Sequence, residues 1–477
     1  MKMRFKYLIT FVVVSLFSSC NKWLDVDLIN QVDENKLFQK EQGFKDALAG
    51  VYNKMSSSSL YGRTLSYEML DVMAQYYSYS SMDQSYHYIR DFDYKNASVK
   101  QKIASIWNDM YSNIAAINNI IRWEEKNGQV MSDDVRKQIK GEALALRAYL
   151  HFDLYRMFSE DMKYNPTAQS IPYNKEFGVS LPPRYTSGQI VQLVINDLQA
   201  SMSYLEQVDP IRNQVPYKIV GTGKDVRGQA DKFVARMNLY AVKAMLARVY
   251  ITQGDKINAA KMAKEVIDSE KFRLLFFEES VDVEEIKRDI RFSDEHIFSL
   301  RNKGIPDWSK SLFYGTQSES GENSSIKLTL AEGITLYDSN PDDVRYQFWL
   351  DLFKLKKMSE NTGEKGFFPK IPMIKLSEMY LILMESYYDT DRSKSLSLLN
   401  AYRKSRIRNA PDWFFIDRDI ILKEYKKDFL GEGQYWFTLK RLNRNISNNS
   451  GNSDIPASKD IYVFPLPDKE IESGFRN

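Results

Sequence analysis

Lys243–Ile267 reads KAMLARVYITQGDKINAAKMAKEVI. Leu246, Ala247 and Tyr250 recur at helical steps, Gly254-Asp255 supplies a turn, and Ala259, nine residues after Tyr250, opens a second periodic stretch with Ala263 and Val266. Apolar residues at three- and four-residue steps mark one face of a helix. Small residues on such a face let two antiparallel helices approach closely, and glycine accepts the left-handed turn between them. This is the spacing of a tetratricopeptide hairpin. A weaker copy lies in MYLILMESYYDTDRSKSLSLLNAYR (Met379–Arg403), where Leu383 and Tyr387 precede a polar turn and Leu396 follows nine residues after Tyr387. Two unrelated helical hairpins would show the same spacing. If these are repeats, each buries its face only against neighbours, so further degenerate hairpins are expected.

Outward from that stretch the helical period dominates. The pattern predicts helices at about 43–56, 67–77, 101–124, 134–158, 187–205, 232–252, 256–269, 373–388, 393–407 and 417–430. The clearest is 134–158, where Ile139, Ala143, Leu146, Leu150, Leu154 and Phe158 form one stripe and Arg136, Lys140, Arg147 and Asp153 fall off it. Ser132 and two aspartates provide a capping start. Stretches containing Pro, Gly and Ser separate the helices at 159–187, 206–231, 302–325, 359–371 and 443–460. Loops of this length tend to carry binding functions. Short strands are expected at His296–Leu300 and Ile461–Pro465. The fold class is mainly all-α.

The first twenty residues concern location. Lys2, Arg4 and Lys6 precede a mainly apolar run from Tyr7 to Phe17, followed by Ser18, Ser19 and Cys20, the only cysteine in 477 residues. A run of 11 residues is too short to span a bilayer, which needs about 20. The run has the form of a signal peptide over 1–19. A cysteine directly after two serines matches a lipoprotein signal, with acylation of the thiol and cleavage before it. No later segment is apolar for 18 residues. The three basic residues are the only charges in 1–19, so the chain from Cys20 onward carries 63 residues of each sign. A neutral chain has no long-range attraction for phosphate backbones, which argues against a nucleic-acid partner. With its thiol acylated it forms no disulfide and no cysteine-based metal site.

Signals for catalysis are absent. His87, His151 and His296 are isolated in sequence, and no HExxH, GxSxG or P-loop pattern occurs. His151 lies beside core positions of the 134–158 stripe and reads as a packed structural residue. Asp338-Ser-Asn340-Pro-Asp342 starts like a calcium loop, but position six is Asp343 and no Glu closes it. No metal or cofactor is expected. The stronger signal is aromatic. Tyr76, Tyr77, Tyr79, Tyr86, Tyr88 and Tyr94 fall within residues 76–94, interleaved with Ser, Gln, Asp, His and Arg90. A sugar ring has an apolar C–H face and a rim of hydroxyls, and tyrosine offers a flat surface and a hydrogen-bonding tip at low entropic cost. A second candidate is the loop Asp307-Trp308 to Phe313-Tyr314. Tyr76, Tyr77, Tyr79, Tyr86, Tyr88, Arg90, Trp308 and Tyr314 are the candidate ligand-binding residues.

Several motifs, in order, resemble the SusD/RagB family of outer-membrane lipoproteins. These are Trp23-Leu24-Asp25; Ala47, Leu48, Gly50 and Tyr52; Leu60 to Gly62 leading to Asp71; and Trp107, Tyr111, Ile114 and Asn118. The strongest match is GEALALRAYLHFDLYRMF at 141–158, followed by Ala244 to Ile267, Asp343 with Arg345, Ile371 to Glu385, Glu424 to Arg441, and Phe464-Pro465-Leu466-Pro467 with Glu470. The chain departs from the family pattern at Gln434, where arginine is usual, and at Thr438, where aspartate is usual. The resemblance implies a tether over 20–35 and one globular unit over 36–477, in which tetratricopeptide-like helix pairs form a scaffold against an irregular, loop-rich ligand layer. It implies a non-enzymatic protein that captures oligosaccharides or peptides at the cell surface and caps a SusC-like TonB-dependent transporter. In the family the ligand site is built by loops in the two aromatic regions named above, with contact residues that vary. A protein-docking scaffold lipoprotein and a lipoprotein glycoside hydrolase are the alternative readings.

Cys20→Ala is expected to leave the fold intact and release the protein from the membrane fraction. Retention of the variant in the outer membrane when the transporter partner is deleted would refute anchoring through Cys20.

Overall fold

The computed structural model describes residues 34–178, 183, 185–218, 231–275, 289–315, 325–359, 368–448 and 453–473. The signal segment, Cys20 and most of the tether lie outside the described residues. Polar side chains set most helix starts. Asn96, Ser132, Asn238, Asp255, Asp391 and Asp417 each accept a bond from a first-turn backbone amide, and Thr186 closes a capping box with Gln189. Each such cap satisfies an orphan amide and contributes about 1 kcal/mol. The resulting helices include α1 (Glu41–Met55), α2 (Met69–Met73), α3 (Gln84–Arg90), α4 (Ala97–Asn127), α5 (Asp133–Phe158), α6 (Ser187–Val208), α7 (Leu239–Gln253) and α8 (Lys256–Asp268). A strand, β1 (His296–Arg301), is followed by α9 (Ile305–Phe313) and α10 (Val344–Trp349). The C-terminal third has β2 (Lys370–Lys375), α11 (Leu376–Tyr387), α12 (Arg392–Lys404), α13 (Arg418–Asp428) and α14 (Gln434–Arg441).

Consecutive helices pack on one another from α4 through α8, then α8 on α11 and α11 on α12 and α13, forming the helix-pair scaffold. Gly254, at φ 89°, makes the α7–α8 turn that an L side chain would strain. Ala259 and Ala263 are fully buried on α8, as close packing of that hairpin requires. β1 pairs antiparallel with β2, with His296 opposite Lys375 and Arg301 opposite Lys370.

Several boundaries differ from the sequence pattern, each for a local reason. The helix predicted at 67–77 is a π-helical turn, Thr64–Glu68, running into α2 and ending at Met73, because Gln75 takes a left-handed conformation at φ 60°. The helix predicted from 232 starts as α7 at Leu239, where Asn238 caps it and also donates to the Ile297 carbonyl at 2.8 Å. The apolar run at 370–375 is strand before α11 begins. Residues 461–465 form no strand. A helical turn, Lys459–Tyr462, takes in the first two of them, and the Phe464 amide bonds the Met157 carbonyl at 2.9 Å.

Charged groups penetrate the C-terminal core. Asp428, fully buried, accepts from Ser377 Oγ at 2.6 Å, Lys375 Nζ at 2.9 Å and Arg406 Nε at 3.2 Å. Arg406 also grips Glu295 at 2.6 and 2.7 Å. Arg345 pairs with Asp343 at 2.8 Å and Glu424 at 3.1 Å, and Lys357 with Glu432 at 2.6 Å. Burial alone would raise the Asp428 carboxyl, but Lys375, Arg406 and Arg345 hold it well below the usual range. Nearby, the buried Asp71 carboxylate accepts the Gly431 amide at 2.8 Å and the Gly433 amide at 3.1 Å, tying α2 to the start of α14. Gly433, at φ 67°, is required there, since a Cβ would sit 2.1 Å from the Leu65 carbonyl oxygen.

His151 is locked inside the scaffold. Its Nδ1–H donates to the Arg147 carbonyl at 2.9 Å, Nε2 accepts from the Asn174 amide at 3.0 Å, and the ring stacks on Tyr173 at 3.9 Å. Burial pushes its pKa down to about 3.

Ala259→Leu should overpack the α7–α8 contact and cost about 1–3 kcal/mol in denaturant unfolding. An unchanged midpoint would refute close packing there. His151 is neutral when folded and protonates near 6.5 when unfolded, so the unfolded state binds more protons between about pH 6.5 and 3. Stability is therefore fully present above pH 6.5 and falls with acidification, by about 2 kcal/mol at pH 5 from this group. His151→Phe should lose that part of the acid dependence, which urea titrations at pH 7 and 5 would measure.

Candidate functional site

The two aromatic regions meet through backbone pairing. After Gln75 turns the chain out of α2, residues 76–83 run beside 327–331. The Ser78 amide donates to the Thr329 carbonyl at 2.8 Å, the Ala331 amide to the Tyr76 carbonyl at 2.8 Å, and the Asp83 amide to the Lys327 carbonyl at 2.9 Å. The amides of Lys327 and Leu328 in turn donate to the Leu312 carbonyl at the end of α9. The segment at 327–331 carries no aromatic residue, and the sequence pattern offered no sign of it.

The structure divides the nominated tyrosines by burial. Tyr76 is buried, with its hydroxyl on the Lys426 carbonyl at 2.5 Å and its ring tilted against Tyr435 at 5.6 Å. Tyr77 is buried with its hydroxyl on the Tyr67 carbonyl at 2.7 Å. Tyr86 is buried with its hydroxyl on Glu68 Oε1 at 2.7 Å. These three rings belong to the core, because each phenol finds an internal acceptor and needs no water. Tyr94 likewise donates to the Ile461 carbonyl at 2.7 Å. Glu68 itself is buried. Burial raises its carboxyl, but Lys102 and Arg63 hold it at about 2. Arg63 bonds it through Nε at 3.0 Å and Nη2 at 2.8 Å.

Tyr79 and Tyr88 remain on the surface, 39% and 40% exposed. Asp83 caps α3 through the Ser85 amide and thereby fixes the helix that carries His87, Tyr88 and Arg90. His87 meets the Tyr79 ring edge-on at 4.4 Å, and the Arg90 guanidinium lies 4.7 Å from the Tyr79 ring centre. Arg90 is buried and held by Asp91 at 2.8 Å and Asn448 at 2.7 Å. Tyr79 is thus an exposed ring with its orientation fixed by two neighbours. Ser81 and Thr329 bond one another beside it through their hydroxyls.

Trp308 does not stand in a loop. It sits on α9, which starts with Pro306 in its first turn, and it is half-buried. Its indole fills the space above Gly62 and Gly304, where an added Cβ would lie 2.8 and 2.6 Å from ring atoms. Much of the ring therefore packs on the scaffold. Tyr314 follows α9 half-buried, with Lys354 Nζ 4.9 Å from its ring centre. Tyr79, His87 and Arg90 come together and Tyr88 is exposed on the same helix as His87, while Trp308 lies across Gly62.

His296 is buried with Nε2 at 3.0 Å from the Arg291 carbonyl, and burial pushes its pKa well below the usual value. Among the described residues no group of three His, Cys, Asp or Glu side chains is placed to hold a metal ion. Asp338 is engaged by Lys427 at 2.8 Å and by Lys423. Among the described residues, hollows open elsewhere. One of about 270 Å³ lies between Lys256, Tyr388 and Arg418, one of about 830 Å³ borders Phe272 and Tyr380, and one of about 430 Å³ lies between Gln75, Tyr435 and Asp454.

A SusD-like family, described as starch-binding and associating with the outer membrane, matches residues 22–214. SusD-like protein P2 of Formosa agariphila is 22% identical over 98% of this chain and 97% of its own. SusD-like protein P38 of the same organism is 21% identical over 76% of this chain, which spans 63% of that relative's length. A SusD-like carbohydrate binding protein from Bacteroides vulgatus superposes with a TM-score of 0.68 at 16% identity, covering 92% of this chain and 97% of its own. Surface glycan-binding protein A from Bacteroides thetaiotaomicron, solved with laminarihexaose, gives 0.67 at 17% identity over 92% and 98% of the two chains. The SusD-like match over residues 22–214 and the helix-pair scaffold agree, and over more than nine-tenths of the chain the fold is similar to that of these SusD-like structures.

Proposed function

We propose that this chain is a non-enzymatic, cell-surface glycan-binding lipoprotein that passes oligosaccharides to a SusC-like TonB-dependent transporter. Residues 36–477 act as one unit, carried on a lipidated tether that begins at Cys20. The observation that carries the reading is the exposed Tyr79 ring, set by Arg90 at 4.7 Å and His87 at 4.4 Å, with Tyr88 exposed on the adjoining helix. A ring already held in one orientation loses little entropy when a sugar stacks on it. Ser78, Ser81 and Thr329 supply hydroxyls at its margin, suited to the rim of a pyranose. The names of two structural neighbours, a carbohydrate binding protein and a laminarihexaose complex, point the same way. Trp308, packed over Gly62 and Gly304, contributes to stability.

A glycan array on the soluble chain, followed by calorimetric titration, tests this. Tyr79→Ala and Tyr88→Ala should each weaken the oligosaccharide found by about 1–3 kcal/mol, roughly 5- to 150-fold, with unchanged melting temperatures. Full affinity in both variants would place the site elsewhere, and release of shortened product would identify a hydrolase.

A further inference from the structure

We infer that the hollow between Gln75 and residues 443–447 and 454 is a second sugar site, shaped for a single neutral, polyhydroxylated ring. It goes beyond the Tyr79–Tyr88 platform, while its ligand class rests on the glycan-binding reading. The hollow measures about 430 Å³, within the usual range for ligand pockets.

Its walls are built by local rules. Asn443, at φ 49°, ends α14. Its amide bonds the Lys440 carbonyl at 2.9 Å and the next amide, of Arg444, bonds the Leu439 carbonyl at 3.0 Å. Ile446 and Ile455 exchange both backbone bonds at 2.9 Å. Ile446 is buried, so alternation along an extended segment turns Asn445 and Ser447 to the other side, where both line the hollow. Asp454, one residue before Ile455, lines it too. The Ala457 amide bonds Asn445 Oδ1 at 3.0 Å, which leaves the Asn445 amide nitrogen for a ligand.

Among the described residues, the side chains of Asn443, Ser447 and Asp454 and the hydroxyl of Tyr435 have no protein partner. Donors and acceptors thus face one concavity with nothing bonded to them. The apolar wall is the Tyr435 ring, braced on Tyr76, with Leu422 and Leu439. A flat apolar wall beside mixed donors and acceptors matches the C–H face and hydroxyl rim of a pyranose. Charge argues for a neutral ligand. Lys426 is paired with Glu332 and Arg444 with Asp419, so the lining holds no surplus positive charge for an anion. The carboxylate of Asp454 favours hydroxyl donors.

The test titrates the soluble chain with D-glucose, D-galactose and D-mannose by saturation-transfer NMR and calorimetry. At least one sugar should bind saturably with a Kd of about 1–10 mM. Tyr435→Phe removes only a hydroxyl, and Asp454→Asn keeps the shape. Together they should weaken that sugar about tenfold or more, with an unchanged melting temperature. Tyr79→Ala should leave it unaffected. No saturable binding up to about 50 mM, or binding that survives the double variant, would overturn the pocket. Monosaccharide binding abolished by Tyr79→Ala would overturn it too. A chain that binds oligosaccharide through Tyr79 and Tyr88 but no monosaccharide refutes this inference alone. A chain that binds neither refutes the glycan reading as well.

Discussion

Asp428 is the constraint on which the second half of the molecule depends. The end of α13, the last residue of β2, the first turn of α11 and the segment after α12 all converge on one carboxylate through Lys375, Ser377 and Arg406. Arg406 extends the arrangement to Glu295 at the head of β1, and Lys375 extends it to Glu432. Burying ions is costly, and a buried pair replaced by apolar side chains often loses nothing. Its effect is different when one partner is missing, since an uncompensated buried charge destabilises by about 3–5 kcal/mol. The network therefore penalises misplacement of any of these elements. Helix faces alone, being greasy and forgiving, would not discriminate so sharply among packings.

That discrimination reaches the candidate sites through Glu432. Its neighbours Gly431 and Gly433 hand both amides to Asp71, and Asp71 lies in α2, immediately before the tyrosine-rich segment. The start of α14, which carries Tyr435, is positioned by the same turn. A chain of direct contacts thus runs from the buried ions to Asp71, then to Tyr76 against Tyr435. The surface platform and the 430 Å³ hollow are both suspended from one short piece of backbone, residues 71–76.

Much of the scaffold was legible from apolar residues at helical steps, as in the 134–158 stripe and the α7–α8 hairpin with its Gly254 turn, even though residues 141–158 are buried on every side. Other elements left a weaker mark. Every residue of α14, QYWFTLKR, is buried, so no polar face marks the helix. Lys375, Arg345 and Arg406 read as surface residues, yet each is buried with carboxylates distant in sequence. Short α10 and α3 lack the length to show a period. The pairing of 76–83 with 327–331 depends on contacts some 250 residues apart and leaves no local mark.

The tyrosine cluster shows why a site is harder to read than a fold. Density of tyrosine marked residues 76–94, and the region does hold an exposed platform, but the same side chain serves two opposite purposes. A phenol with an internal acceptor is a core residue, as Tyr76, Tyr77 and Tyr86 are. Tyr435 is buried as well, yet its hydroxyl has no acceptor among the described residues. Composition counts rings and cannot see acceptors. The distinction rests on where Lys426, Tyr67 and Glu68 come to lie, which is tertiary structure. Arg90 makes the same point from the other side. It is buried and tethered, yet its role is to fix the face of Tyr79 that a sugar would meet. A binding surface of this kind is therefore set less by the residues it exposes than by the buried groups that hold them still.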